Sequence, residues 1–164
     1  MSLKTDAYYR TVADEALRNT GIVEPPITME AVAMRLGVPV RLVHLPAFFS
    51  GAAINEDGMP VLLLNSALEE AGRRRHLAHL LGHVLAVLDD SQATYPREGR
   101  LDHHEADVIA SELILPSWMV VEQAAKWFND HRYLARLFGV TEAEMLSKMR
   151  ELGLVKSRGL VWDY

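Results

Sequence analysis

The sequence predicts an α+β fold, and three observations carry that assignment. Helix-period segments stand at both ends of the chain. Between them lie two short valine- and leucine-rich runs with strand character, the second folded on an Asp57-Gly58 turn. After the turn comes a long helical stretch, RRRHLAHLLGHVLAVLD (residues 73–89), with histidines four apart.

From Lys4 to about Asn19, Tyr8, Val12, Ala16 and Leu17 recur at helical spacing, and Gly21 follows as a stop. In EPPITMEAVAMRLG, Thr28 is the expected N-cap, Met29, Val32, Ala33 and Leu36 share a face, and Gly37 ends the second helix. VPVRLVHL (38–45) reads as a first strand, and SGAAINEDGMPVLLLN (50–65) as two more forming a hairpin about Asp57 and Gly58. Ser66 with Glu69 has the spacing of a capping box for a helix running to about Leu88, with Gly72 a point of weakness. DDSQATYPREGRLD (89–102) lacks periodicity and reads as an exposed loop. HHEADVIASELIL is helical and is ended by Pro116; a further helix is expected from Ser117 to about Phe128. Two short helices should follow about Gly139, the second opened by a capping box of Thr141 and Glu144.

The chain has 164 residues, 49% of them hydrophobic, enough to bury a core. We expect one main domain over residues 1–128 and a small helical extension over 129–164 packed on it. A net charge of −5 argues against a general nucleic-acid binder, although Arg73, Arg74 and Arg75 form a local basic cluster. No cysteine is present, so any zinc must be held by His, Asp or Glu. The first residues, MSLKTDAYYR, have no signal-peptide character, and no apolar run approaches the roughly 20 residues needed to cross a bilayer. These features predict a cytoplasmic protein with no membrane association.

Imidazoles four residues apart project from one helix face, so His79 and His83 can share an ion; His76 lies on nearly the same face one turn earlier. The plainer reading of the pair is a histidine-rich polar stripe. Gly82 between them weakens the helix unless something approaches its backbone closely.

In the order helix, strand, DG hairpin, AHLLGH (78–83), loop, HHEADVIASELILP (103–116), the chain resembles the ImmA/IrrE family of zinc metallopeptidases. That resemblance implies a zincin-like core with a small three-stranded sheet and a histidine-bearing active-site helix. It also implies a single zinc held by His79, His83 and a third ligand at the start of the ExxAD-type helix, which here falls on His103, with His104 and Glu105 as alternatives. It further implies that Asp107 is a carboxylate that orients a ligand histidine. The general-base Glu that should follow the first histidine is Leu80. Loss of such a base removes a factor on the order of 10² to 10⁴ in rate. A weakened or absent peptidase is therefore expected, unless Asp102 or Glu105 substitutes. By the same resemblance the partner or substrate is a helix-turn-helix transcriptional repressor, which the open hairpin strand could receive by strand addition. LARLFGVTEAEMLSKMRELGL resembles the helix-turn-helix-like tail of many such proteins, but its second helix opens on Thr141, Glu142 and Glu144, which repel phosphates. Packing or partner docking is expected there, not direct DNA binding. Two other functions stay open: an active zinc endopeptidase with a substitute base, and a metal-free regulatory or antitoxin-like interaction domain.

Overall fold

The computed structural model describes residues 4–89 and 103–155. These form an α+β arrangement in the order α1 (Asp6–Thr20), α2 (Met29–Arg35), β1 (Val40–Val43), β2 (Gly51–Glu56), β3 (Met59–Asn65), α3 (Glu70–Asp89), α4 (His103–Ile114), α5 (Ser117–Lys126), α6 (His131–Phe138) and α7 (Glu142–Glu151). The chain divides into two compact units: residues 1–22 with 27–114, and residues 23–26 with 115–164.

In the first unit the sheet order is β1-β3-β2, with β1 parallel and β2 antiparallel to the central β3. Glu56 pairs with Met59 across a two-residue turn, and both turn residues have positive φ (53° at Asp57, 84° at Gly58), the type I′ geometry that follows strand twist. Asn55 Oδ1 accepts from the Gly58 backbone N–H at 2.7 Å and closes the turn. Val61, Leu62 and Leu64 of the central strand are buried, whereas β1 and β2 lie at the edges.

Several helix ends follow the sequence. Thr28 caps α2 by accepting from the Ala31 N–H, and Gly21 and Gly37 both take φ of 74°. The expected Ser66–Glu69 capping box does not form. Asn65 wins the competition for the turn: its Oδ1 accepts from the Ala67 N–H at 3.1 Å, Leu68 N–H bonds to its carbonyl, and α3 starts only at Glu70. Gly72 does not break α3, which is continuous to Asp89. The expected loop 89–102 falls, except for its first residue, outside the described residues, as does the tail from Lys156.

Helix α3 is the spine of this unit, packing on α4, α1 and α2 and on strands β2 and β3. Leu77, Leu81 and Val84 of α3 and Ala106, Ile109 and Leu113 of α4 are buried. The two helices meet at Gly82: a Cβ added there would stand 2.9 Å from the Ala106 Cα and closer still to its carbonyl oxygen. Glycine is required at that point because only a bare backbone lets α4 come so near.

In the second unit Asp130 caps α6 by accepting from the Arg132 and Tyr133 N–H groups, Gly139 ends it at φ 69°, and the expected capping box of Thr141 and Glu144 opens α7. Leu134, Ala135, Phe138, Met145 and Met149 are buried. The expectation that no apolar run nears membrane-spanning length needs correction, because His103–Lys126 is long and apolar enough by composition. The break at Leu115 and Pro116 divides it into α4 and α5, and 56% of its most apolar window is buried, the pattern of a core segment.

Two glycines in one helix give a paired prediction. Gly82→Ala should lower stability in chemical denaturation by up to about 2 kcal/mol, the balance of about 1–3 kcal/mol lost to overpacking and roughly 1 kcal/mol that alanine gains in helix propensity. Gly72→Ala, where a Cβ meets nothing within 4 Å, should instead raise stability by about 0.5–1 kcal/mol.

Candidate metal centre

The contact at Gly82 brings the first turn of α4 beside the middle of α3, and with it three ring nitrogens onto one point. His83 Nε2 lies 3.0 Å from His79 Nε2, and His103 Nδ1 lies 3.3 Å from each of them. Four ligands about 2.0–2.1 Å from a tetrahedral ion stand about 3.3 Å apart along the edges of the tetrahedron. The three nitrogens therefore already have the spacing of one face of a zinc coordination shell, and they are the only metal-ligating cluster among the described residues. Neutral imidazoles in that arrangement also have too few protons to satisfy one another by hydrogen bonds, so an ion suits the donor set better than the bare cluster does.

Asp107 decides the tautomer of His79. Its Oδ1 lies 2.7 Å from His79 Nδ1, so Nδ1–H donates to the carboxylate and Nε2 is left with a free lone pair facing His83 and His103. His103 and Asp107 are four apart on α4, as His79 and His83 are on α3, and this common helical period makes the four groups meet.

Of the three residues weighed as third ligand, only His103 joins the cluster. His104 Nε2 is 2.8 Å from Asp6 Oδ1, so it ties α4 to α1 instead. Glu105 is half-buried on α4 and outside the cluster; Asp102 lies outside the described residues. Leu80, at the position where a general base would stand, is 5% exposed and part of the core.

His76, one turn before His79, has its ring centroid 6.1 Å from that of His79 and nearly parallel to it. It packs against the start of β2, where a Cβ on Gly51 would come within 3.3 Å of the His76 Cδ2. Its Nε2 is buried without a hydrogen-bond partner among the described residues. Burial above all, and then the nearby His79, push its pKa below the ordinary histidine range, with the Gly51 backbone opposing in part.

Two supporting residues were missed by sequence reasoning. Asn65, 2% exposed, donates from Nδ2 to the carbonyls of Phe49 (2.8 Å), Leu45 (3.2 Å) and Pro46 (3.4 Å), and so fixes the segment leading into β2. An asparagine ending an apolar run just before a turn is a usable signal for such a role. Asp6 carried no signal, since its partner lies 98 positions away.

Protein purified without a histidine tag and incubated with zinc should hold about one ion per chain by elemental analysis. His79→Ala or His83→Ala should abolish uptake, and His103→Ala should weaken it more than His104→Ala or Glu105→Ala. Asp107→Asn should weaken affinity by about 10- to 100-fold in a competition titration. A zinc content of zero after incubation, with an unchanged melting temperature, would remove the site. His76 gives a separate expectation for the metal-free protein. Its folded pKa lies below its unfolded value, so the unfolded chain binds the extra proton first; the neutral ring's contribution is intact above the unfolded pKa of about 6.5 and is lost as pH falls toward the folded value. His76→Gln should flatten the pH dependence of the melting temperature across that interval.

No curated protein sequence matches the chain. Among solved structures, a Mycobacterium tuberculosis transcriptional regulator aligns with a TM-score of 0.56 at 19% identity, covering 86% of this chain and 46% of its own length. The chain thus spans less than half of that protein, and at this identity the likeness speaks to the fold alone. The family model of the IrrE N-terminal-like domain matches residues 33–150, a stretch that holds the whole sheet, both histidine-bearing helices and most of the second unit. That match covers well over half of the chain, and the chain belongs to the IrrE N-terminal-like family.

Proposed function

We propose that this protein is a zinc-binding, zincin-like regulatory domain that engages a polypeptide, a helix-turn-helix transcriptional repressor by family analogy, with peptidase activity weakened or lost. The observation that carries this reading is the set of three ring nitrogens 3.0–3.3 Å apart, oriented by Asp107, beside a helix position that offers only leucine. Zinc held by His79, His83 and His103 would supply Lewis acidity toward a carbonyl or a water. The chain's own residues do the rest: Asp107 holds the His79 tautomer, and the edge strand β2, which starts against His76, offers its outer edge to an extended segment.

Proton transfer is the missing element. Leu80 has no titratable group, and Glu105 stands two residues from His103, a spacing that turns it away from the ligand face. On α7, Glu144 spends its side chain on the capping box and Lys148 is buried, which leaves an acidic helix start unsuited to phosphates. Residues 129–164 are accordingly assigned to docking and not to direct DNA binding. The lack of cysteine fits a cytoplasmic setting. The structural relative is a transcriptional regulator, which fits a regulatory role for this domain.

The test is Leu80→Glu, assayed on a quenched-fluorescent peptide library with and without zinc. The wild type should show no zinc-dependent cleavage. The variant should gain measurable cleavage that a chelator stops, together with a lower melting temperature, because a carboxylate replaces a buried apolar side chain. Robust wild-type cleavage, abolished by chelator and restored by zinc, would instead show an active endopeptidase and send the search for its base to Asp102 and Glu105. Cleavage absent from both proteins, with zinc bound, would assign the defect to His103 as third ligand.

A further inference from the structure

A cavity of about 560 Å³ opens at the β1 edge of the sheet, across β3 from the β2 edge where His76 packs. No residue of the histidine cluster lines it. Around it stand Glu30 and Met34 of α2, residues 37–40, Leu42 of β1, Leu64 of β3 and Arg73 of α3. Val38 and Leu64 are buried, but Met34 is 72% and Leu42 54% exposed. Large apolar side chains left open around one concavity mark a place that receives an apolar body, and the volume lies within the roughly 300–1,000 Å³ of small-molecule sites.

Two opposite charges line this cavity and do not meet. The half-buried Arg73 guanidinium makes one side-chain hydrogen bond, at 3.4 Å to the Leu68 carbonyl, and its Nε is buried without an acceptor. Glu30 stands exposed in the first turn of α2, and among the described residues neither group enters an ion pair. A guanidinium offers five N–H donors in a planar fork that matches a carboxylate, so one held by a single long bond is short of acceptors. The backbone contributes as well. Pro39 and Val43 turn their carbonyls to the sheet, where they accept from the Leu62 and Ser66 N–H groups at 2.9 Å. By alternation, Val40 and Leu42 direct their own backbone groups to the free edge beside the cavity.

From these features we infer that the cavity is a binding site for a small apolar zwitterion, an apolar α-amino acid or a short apolar peptide with the same two charged ends. The carboxylate pairs with Arg73, the ammonium pairs with Glu30, and the apolar body rests on Met34, Val38, Leu42 and Leu64. Binding is non-covalent, and the site is separate from the metal centre and does not depend on it. Arg73 thereby differs from Arg75 of the same basic cluster, which is exposed and does not line the cavity.

The experiment is calorimetric titration of the full chain with L-leucine and with L-leucyl-L-leucine, on zinc-loaded and on chelator-treated protein. Saturable binding of at least one is expected, equal in the two preparations, and the tighter of the two identifies the source. Glycine, which has both charges and no apolar body, should not bind. Arg73→Gln should weaken the tighter ligand about tenfold or more, the factor for losing a hydrogen bond to a charged group, and amidation of the ligand's carboxylate should do the same. Arg75→Gln should leave binding unchanged. Glu30→Gln, at an exposed position, should weaken the zwitterion about fivefold, the factor for a unit charge some 4 Å away under full aqueous screening, and should not weaken its N-acetylated form. Where Arg73→Gln fails to fold, Glu30→Gln decides. No saturable binding of either ligand, equal binding of glycine, binding confined to the zinc-loaded protein, or undiminished affinity in a folded Arg73→Gln or in Glu30→Gln overturns the site.

Discussion

Everything at the centre depends on how closely α4 approaches α3, and that approach is limited by one missing methyl group. At Gly82 the backbone of Ala106 occupies the space where any side chain would stand. Helix axes ordinarily pass 8–10 Å apart, at a distance set by the side chains between them, and glycine opposite alanine allows the near end of that range. His79 and His83 lie on either side of Gly82 along α3, and His103 and Asp107 lie on either side of Ala106 along α4. The point of closest contact is thus enclosed by the four polar groups, and the spacing that packs the core also sets the distances between ring nitrogens. Buried Leu77, Leu81 and Val84 beneath, with Ala106, Ile109 and Leu113 opposite, hold the helices at that distance. An ion at the centre would be held by a rigid frame and would not need to assemble it, which lowers the ordering cost of binding.

The sheet serves this arrangement from the other side. Its central strand is buried and ends in Asn65, whose amide ties three carbonyls of the incoming segment while its carbonyl oxygen starts the turn toward α3. One side chain therefore fixes both the entry to the edge strand β2 and the entry to the histidine helix. The start of β2 and the face of α3 that carries His76 are in register because both are tied to the same residue. A buried asparagine that satisfies four backbone groups is costly to replace, because any substitute leaves several of them unpaired.

What was legible in the sequence was what is local. The His79–His83 spacing, the glycine between them, the Asp57-Gly58 turn and the Thr141–Glu144 box all depend on residues within four positions of one another, where helix and turn geometry leave little choice. Asp107 and the choice of His103 became legible only through the order of motifs, because nothing local links position 79 to position 107. Asp6 with His104, and Asn65 with its carbonyls, depend on tertiary approach and have no local signature. The Ser66–Glu69 box fails for the opposite reason: its local pattern was genuine, but Asn65, one residue earlier, was already committed to the turn and delayed the helix until Glu70.

Leu80 shows how a side chain without a titratable group can stand next to the histidine pair and leave its geometry intact. Ligands at 79 and 83 share a face, whereas position 80 is turned by about 100° from position 79 and reaches a different set of neighbours. In this chain those neighbours bury it to 5% exposure. Burying a leucine contributes about 1.5–3 kcal/mol, a sizeable share of the stability of a small domain. A carboxylate at the same position could serve as a base only by leaving this packing for solvent, at a cost in core stability. Leucine at position 80 consolidates the core, while the i, i+4 pair that would hold an ion stands on another face of the helix. The three ring nitrogens and the core contact of Leu80 thus fall to different faces of the same turn.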